Sequence, residues 1–255
     1  MSARTKAFVN LYAAIGTLEK YVELVPEAKE VAKQQNVVVR FKVNDGPDGL
    51  IEFKDGKVRV FPRENNERAD IVLPCKSPEF FNDVVDGKAM PIPTLPGIFK
   101  ALKFMGKPTS PFNVLTAGMT DVLRRTEFAN DKEKRVTTVL SFYAMVNGIA
   151  QVGNNDRIAR FAMKRLEDGE ISVAIRDEAY ATLTKKDGRL TATLEKSTKP
   201  RAFMTFGDID TAWGLISGQV DAMSCISAGT LETSGQMLLL DNVNKILNIV
   251  PKYLQ

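Results

Sequence analysis

Asp55-Gly56-Lys57 lies between two short apolar stretches, Leu50 to Lys54 and Lys57 to Phe61, and it returns 132 residues later as Asp187-Gly188-Arg189. Asp-Gly in that setting is the sequence signal of a type I′ hairpin, because both turn residues must accept a positive φ. The surroundings return as well. Val39, Phe41 and Val43 reappear as Ile171, Val173 and Ile175 at the same shift. Tyr12-Ala13 reappears as Tyr143-Ala144 and Gly87 as Gly218 at a shift of 131. Gly106 and Asn113-Val114 reappear as Gly235 and Asn242-Val243 at a shift of 129. A period this long reads as a duplicated domain and not as a solenoid.

Working outward from the hairpin, each half reads in one order. Phe8 to Val25 is helical, and Pro26 suits the first turn of a second helix ending near Gln35. In the second half Val136 to Val152 is helical and breaks at Gly153-Asn154-Asn155-Asp156. Asn155 or Asp156 caps the next helix, in which Ile158, Phe161 and Ala162 share a face. Four strands follow in each half: Val37 to Val43, the two hairpin arms and Ala69 to Leu73, then Glu170 to Arg176, Ala179 to Lys185, Arg189 to Glu195 and Ala202 to Phe206. Tight turns between them point to antiparallel pairing. A short helix comes next, capped at Ser77 or at Asp208 or Asp210 and stopped at Gly87 or Gly218. A crossover then leads to a short strand, Leu231 to Ser234 in the second half; the matching stretch near Leu102 to Met105 is open to strand or helix. Each half closes with an amphipathic helix, Pro111 to Arg124 and Leu239 to Val250. The expected domains are residues 1–126 and 134–255, joined by 127–133, where polar and charged residues cluster.

Composition narrows the function. Hydrophobic residues make up 44% of 255 and charged residues 26%, an ordinary globular balance. A net charge of +4 is too mild to argue for nucleic acid. No apolar run is long enough to read as a membrane-crossing helix. Arg4 and Lys6 before the apolar run Ala7 to Ile15 imitate a signal peptide, but the run has an internal counterpart at Val136 to Val146, so a cytosolic location is expected. Cys75 and Cys225 fall at non-equivalent places and specify no disulfide. Histidine is absent, which removes the usual general base, the Ser-His-Asp triad and the commonest metal ligand. Asp45, Asp48, Asp55 and Asp187 read as turn residues. No enzyme activity, cofactor or metal is expected.

The ordered set resembles the sterol carrier protein 2 family. Its carriers in the first half are Phe41-Lys42-Val43-Asn44-Asp45-Gly46-Pro47-Asp48-Gly49, the Asp55-Gly56 turn, Ala69-Asp70-Ile71 and the short helix closed by Gly87-Lys88. In the second half they are Thr211 to Gly218 and Gly229-Thr230-Leu231-Glu232-Thr233-Ser234-Gly235. The second half lacks Gly-Pro at its first turn, where it has Arg176-Asp177-Glu178, and the first half has a longer crossover with Pro91, Pro93 and Pro96. The resemblance implies two α/β (α+β) domains, each a mixed, largely antiparallel sheet of about five strands with helices over one face. It also implies an apolar tunnel for a sterol, fatty acid or fatty acyl-CoA.

Lining candidates follow from that tunnel. In the first half they are Phe80, Phe81, Val84, Ile98, Phe99, Leu102, Phe104, Val114 and Leu115. In the second they are Phe203, Trp213, Leu215, Ile216, Met223, Ile226, Leu231, Met237, Leu240, Val243, Ile246 and Leu247. Each buried methylene contributes about 0.8 kcal/mol, so a long chain binds without a polar partner. Apolar stripes at helical spacing equally describe a filled core. Between Gly87 and Thr120 there is no acidic residue, while Lys88, Lys100, Lys103 and Lys107 stand among Ile98, Phe99 and Leu102. Lys100 and Lys103 are the headgroup candidates, for a carboxylate, a phosphate or an anionic membrane surface; the same lysines also read as an ordinary solvated face whose stems cover apolar neighbours. The expectation is a non-catalytic lipid carrier, monomeric or homodimeric. The alternative is an accessory protein with filled cores that binds a partner of lipid or hydrocarbon metabolism.

Overall fold

In the computed structural model, which describes residues 1–254, the chain divides into two compact units, Met1–Arg124 and Arg125–Gln255. In the first, α1 (Ala3–Val9) passes through a π-turn at Asn10–Ala14 and a 3-10 turn at Ile15–Thr17 into α2 (Leu18–Leu24), followed by α3 (Pro26–Lys33). Then come β1 (Val37–Val43), β2 (Asp48–Lys54), β3 (Lys57–Pro62) and β4 (Ile71–Cys75). After α4 (Pro78–Val85), a 3-10 turn at Leu95–Gly97 leads into α5 (Ile98–Met105), and α6 (Pro111–Leu123) closes the unit. The sheet order is β3-β2-β1-β4, with antiparallel hairpins and β4 parallel to β1.

Local chemistry explains these elements. Asp55 and Gly56 both have positive φ, 52° and 73°, as the type I′ turn requires. Val37, Val39, Phe41 and Val43 alternate into the core, and the Phe81 ring of α4 meets Phe41 edge-on at 5.3 Å. A Cβ at Gly49 would come within 2.8 Å of Leu11 and Tyr12, so glycine lets the first helical segment lie against β2. Ser77 caps α4 by accepting from the Phe80 N–H at 3.2 Å.

The second unit holds α7 (Asp131–Asn155), α8 (Ala159–Arg165), β5 (Gly169–Ile175), β6 (Ala179–Lys186), β7 (Arg189–Thr193) and β8 (Pro200–Phe206). It continues with α9 (Ile209–Ile216), α10 (Ala222–Ser227), β9 (Leu231–Gly235), α11 (Met237–Leu247) and α12 (Pro251–Leu254). Its sheet order is β7-β6-β5-β8-β9. The first four of these strands repeat the topology of the first unit, with β8 parallel to β5, and β9 adds an antiparallel fifth. Asp187 and Gly188 repeat the positive φ pair, and Asp177 shares the positive φ of Asp45 although Gly-Pro is missing there. Asp208 caps α9 through the Thr211 N–H at 2.7 Å, the counterpart of Ser77.

The first unit has four strands where about five were expected, and one residue explains much of the difference. In the second unit Gln236 N donates to Arg201 O and Gly207 N to Thr230 O. The alternation of an antiparallel ladder therefore turns the N–H groups of Phe203 and Thr205 toward β9. By the pairing registers, the counterpart of Thr205 is Pro74, which has no N–H. The outer edge of β4 instead takes one hydrogen bond from the crossover, Thr94 N to Val72 O at 3.0 Å. The stretch near Leu102 to Met105 is helical, as part of α5.

Other differences are helical. The first helix begins at Ala3 and not Phe8, and α7 begins at Asp131 and not Val136, with Asn130 accepting from the Glu133 N–H. Gly153 does not break α7; its missing Cβ admits Met163 Sδ, 3.0 Å from where a Cβ would sit. Asp156 ends α7, its Oδ1 accepting from Ile158 N and Ala159 N while Tyr253 O–H donates to Oδ2. That cap turns Ala159, Ala162 and Met163 inward and leaves Ile158 and Phe161 exposed, against the expected shared face. At 25 residues α7 is long and apolar enough to cross a bilayer, contrary to the reading from apolar runs, but its apolar window is 72% buried inside the unit, as a core helix is.

The opposite edge of the first sheet yields a test. Glu19 of α2 accepts from the Val60 N–H of β3. Burial raises the Glu19 pKa above its ordinary 4.5, and the Val60 N–H and Arg59 only partly offset this. A carboxyl whose pKa rises on folding favours the fold most when protonated, and that contribution is lost as pH climbs through the folded value. Glu19→Gln will therefore raise Tm at neutral pH, and the gain will fade as pH falls through the raised folded value and be gone below about 4.5, as thermal melts across pH will show.

Candidate functional site

In each unit the crossover and the closing helix carry most of the residues expected to meet a ligand, and the structure divides them. In the first unit Phe81, Phe104 and Leu115 are buried, Phe80, Val84 and Ile98 are half-buried, and Phe99, Leu102 and Val114 are exposed. Phe104 stands 5.0 Å from Phe53 and 5.8 Å from Phe112, and Phe53 also meets Phe112 at 6.4 Å, so three rings interlock between β2, α5 and α6. Gly97 permits the entry to α5, because a Cβ there would lie 2.6 Å from Asp70 O.

The headgroup candidates differ from one another. Lys100 is ion-paired with Asp70, whose carboxylate also accepts from Val38 N. Burial works to raise the Asp70 pKa, but these two donors outweigh it and hold the carboxyl below the usual range. The charge of Lys100 is thus already met by an acid, while Lys103 is exposed on the last turn of α5.

In the second unit Trp213, Leu231, Leu240, Val243 and Ile246 are buried. Leu215, Ile216 and Leu247 are half-buried, and Phe203, Met223, Ile226 and Met237 are exposed. Trp213 packs edge-on against Phe128 at 5.0 Å. Phe206 meets Phe142 of α7 at 6.3 Å, so strand alternation turns Phe203 to the sheet face away from α7.

The residue that sequence reading missed is Asn242, wholly buried within the apolar stripe Leu239, Val243 and Ile246 of α11. Its Nδ2 donates back to Leu238 O at 2.8 Å, and its Oδ1 has no hydrogen-bond partner. Its counterpart Asn113 instead donates to Met105 O and Lys107 O, tying α5 to α6. An amide placed in an apolar helical stripe was the available signal, since a buried acceptor left unpaired costs about 1–3 kcal/mol.

A polar pocket of about 430 Å³ lies where the start of α7, the β5–β6 turn and the start of α9 meet. Lys134, Arg135 and Arg176 line it, paired with Asp210, Glu178 and Glu232 respectively, so no cation is left over for an anion. Burial pushes the Cys75 thiol up to about 11, which keeps it protonated and unreactive near neutrality. Among the described residues no cluster of Cys, Asp and Glu is arranged to hold a metal ion.

No protein-family model matches this chain, and no curated protein matches it significantly. Similar solved structures include the sterol carrier protein domain 2 of Helicoverpa armigera, at 15% identity and TM-score 0.36, covering 44% of this chain and 89% of that one. A ubiquinone synthesis protein, UbiJ-SCP2, matches at 14% identity and TM-score 0.33, covering 41% and 94%. A sterol carrier protein 2 matches at 17% identity and TM-score 0.34, covering 43% and 92%.

Burial separates the candidates experimentally. Phe104→Ala will lose about 3–5 kcal/mol in urea unfolding, since it empties a three-ring cluster, whereas exposed Phe99→Ala will stay within about 0.5 kcal/mol. Iodoacetamide at neutral pH will leave Cys75 unlabelled in the native protein and modify it once urea unfolds the chain.

Proposed function

We propose that the protein is a non-catalytic carrier of a lipid or other apolar small molecule, with two duplicated domains in tandem and the crossover and closing helix of each as the ligand-facing elements. The observation that carries this reading is that both units leave large apolar side chains uncovered at that same place in the fold. Phe99 and Leu102 do so in the first unit, and Met223, Ile226 and Met237 in the second. Exposed apolar side chains gathered on one segment are of the kind that binding faces use. Methionine is unbranched and polarizable, which suits a guest of variable shape. The sequence resemblance to sterol carrier protein 2 domains points the same way.

In the second unit the unpaired Asn242 Oδ1 adds a polarity preference. A ligand that brings a hydroxyl or another donor under α11 would satisfy it, so an alcohol or protonated acid is favoured over a pure hydrocarbon. Guest release exposes apolar area to water, so transfer has to end on another apolar acceptor.

The second reading, an accessory protein with filled cores, draws on the interlocked Phe53, Phe104 and Phe112 rings. Mass spectrometry of solvent extracts, together with titration by a fluorescent fatty acid, separates the two. A co-purified apolar molecule and saturable probe binding are expected. A clean extract with no probe binding would leave only the accessory reading. Asn242→Leu should stabilise the ligand-free protein while weakening binding of hydroxyl-bearing ligands; unchanged binding would remove Asn242 from the site.

A further inference from the structure

We infer that the first unit docks onto an anionic lipid surface through its crossover and α5, and that the second unit has no such face. This does not rest on the carriage reading. Leu95 is 84% exposed, Phe99 83%, Met90 78% and Ile92 77%, with Leu102 at 59% on the same short stretch. Met90 and Ile92 lie on the irregular crossover, Leu95 on the 3-10 turn and Phe99 and Leu102 on α5, all outside any core. Their exposure has a cause in the chain. Pro91, Pro93 and Pro96 deny the crossover three N–H donors, and Pro74 denies the β4 edge another, so the crossover lies along β4 without becoming a strand. On α5, Ala101 and Phe104 face inward, while Phe99 and Leu102 face out beside Lys103. At eight residues this helix is about 12 Å long, suited to lying in an interface and far too short to cross it.

Charge selects the occupant. From Gly87 to Thr120 there are four lysines and no acid. Lys88 and Lys100 are paired with Asp86 and Asp70 from outside that stretch, and Lys103 and Lys107 are exposed. A second copy of the chain meeting this patch across a two-fold axis would set lysine against lysine. Protein interfaces are also depleted in lysine, whereas apolar side chains fringed by lysine match a bilayer bearing anionic headgroups. The second unit supplies an internal contrast. Its Met223 and Met237 are 70% and 59% exposed, but from Ala202 to Asn244 it has five acids and no lysine or arginine. Equal greasiness with opposite charge predicts opposite behaviour at such a surface.

The test is flotation of the full chain with vesicles of phosphatidylcholine alone or mixed with phosphatidylglycerol, at low and high salt. Binding only to the anionic vesicles, weakened by salt, is expected. Leu95→Ser with Phe99→Ser should abolish it. Lys103→Gln and Lys107→Gln should each weaken it by roughly fivefold. Met223→Ser with Met237→Ser should leave it unchanged, and circular dichroism checks that each variant is folded. The proposal is overturned if wild type does not float, if the Leu95/Phe99 variant floats as well as wild type, if the Met223/Met237 variant loses binding equally, or if neutral vesicles serve as well. Phe99-dependent capture of an acidic protein, without vesicle binding, would overturn it in favour of a protein partner. Vesicle binding with no lipid in the extract and no fatty-acid binding would sink carriage and leave docking intact.

Discussion

The parallel pairing of the fourth strand with the first is the constraint to which the rest of each unit answers. Hairpins make β1, β2 and β3 almost automatically, but β4 and β8 arrive beside β1 and β5 running the same way. Each then presents an outer edge of unpaired N–H and C=O groups, which must be covered or left to water. The second unit covers its edge with β9, a full antiparallel partner. The first unit, with proline at position 74 and three more in the crossover, covers its edge with the single bond from Thr94 to Val72. One topology thus leads to two surfaces, because the backbone chemistry at the same edge differs.

Those two surfaces carry different side chains. Where the crossover became a strand, residues Ala202 to Asn244 include five acids and no lysine or arginine. Where it did not, it stayed as an irregular arm and a short helix, apolar on the outside and edged with lysine. A guest-binding role and a surface-docking role both use the exposed apolar groups of this segment, Phe99 and Leu102, while Phe104 lies buried beneath them. Besides Asn242 Oδ1, Gln236 Oε1 is also buried without a partner in the second unit, whereas Asp156 is fully met. Asp156 accepts from two backbone N–H groups and from Tyr253, and those bonds, working against its burial, hold its carboxyl below the usual range. Of the two unpaired oxygens, that of Asn242 belongs to the residue that is wholly buried.

Much of the fold was legible because its signals are local. Asp-Gly turns, the Ser77 and Asp208 caps, the Gly87 and Gly218 stops and the strand alternation each depend on a few neighbouring residues, and each lies where the sequence placed it. Helix starts were less legible. Asn130 and Ser2 are polar caps preceding charged first turns, which apolar periodicity cannot detect. The face of α8 was misjudged because Asp156 and Gly153, outside that helix, fix its rotation. Among the expected ligand residues, apolarity alone could not separate Phe104 from Phe99 or Leu240 from Met237, since exposure depends on what lies opposite.

The sequence by itself determined two similar α/β halves, the hairpins within them, the absence of histidine chemistry and the charge contrast between the two crossovers, all of which follow from residue identity and short-range spacing. Only the tertiary structure decided which apolar side chains are covered, which lysines already have an acid beside them, and that Asn242 is buried with an unpaired oxygen. Those depend on partners brought together from distant parts of the chain, and no local pattern encodes them.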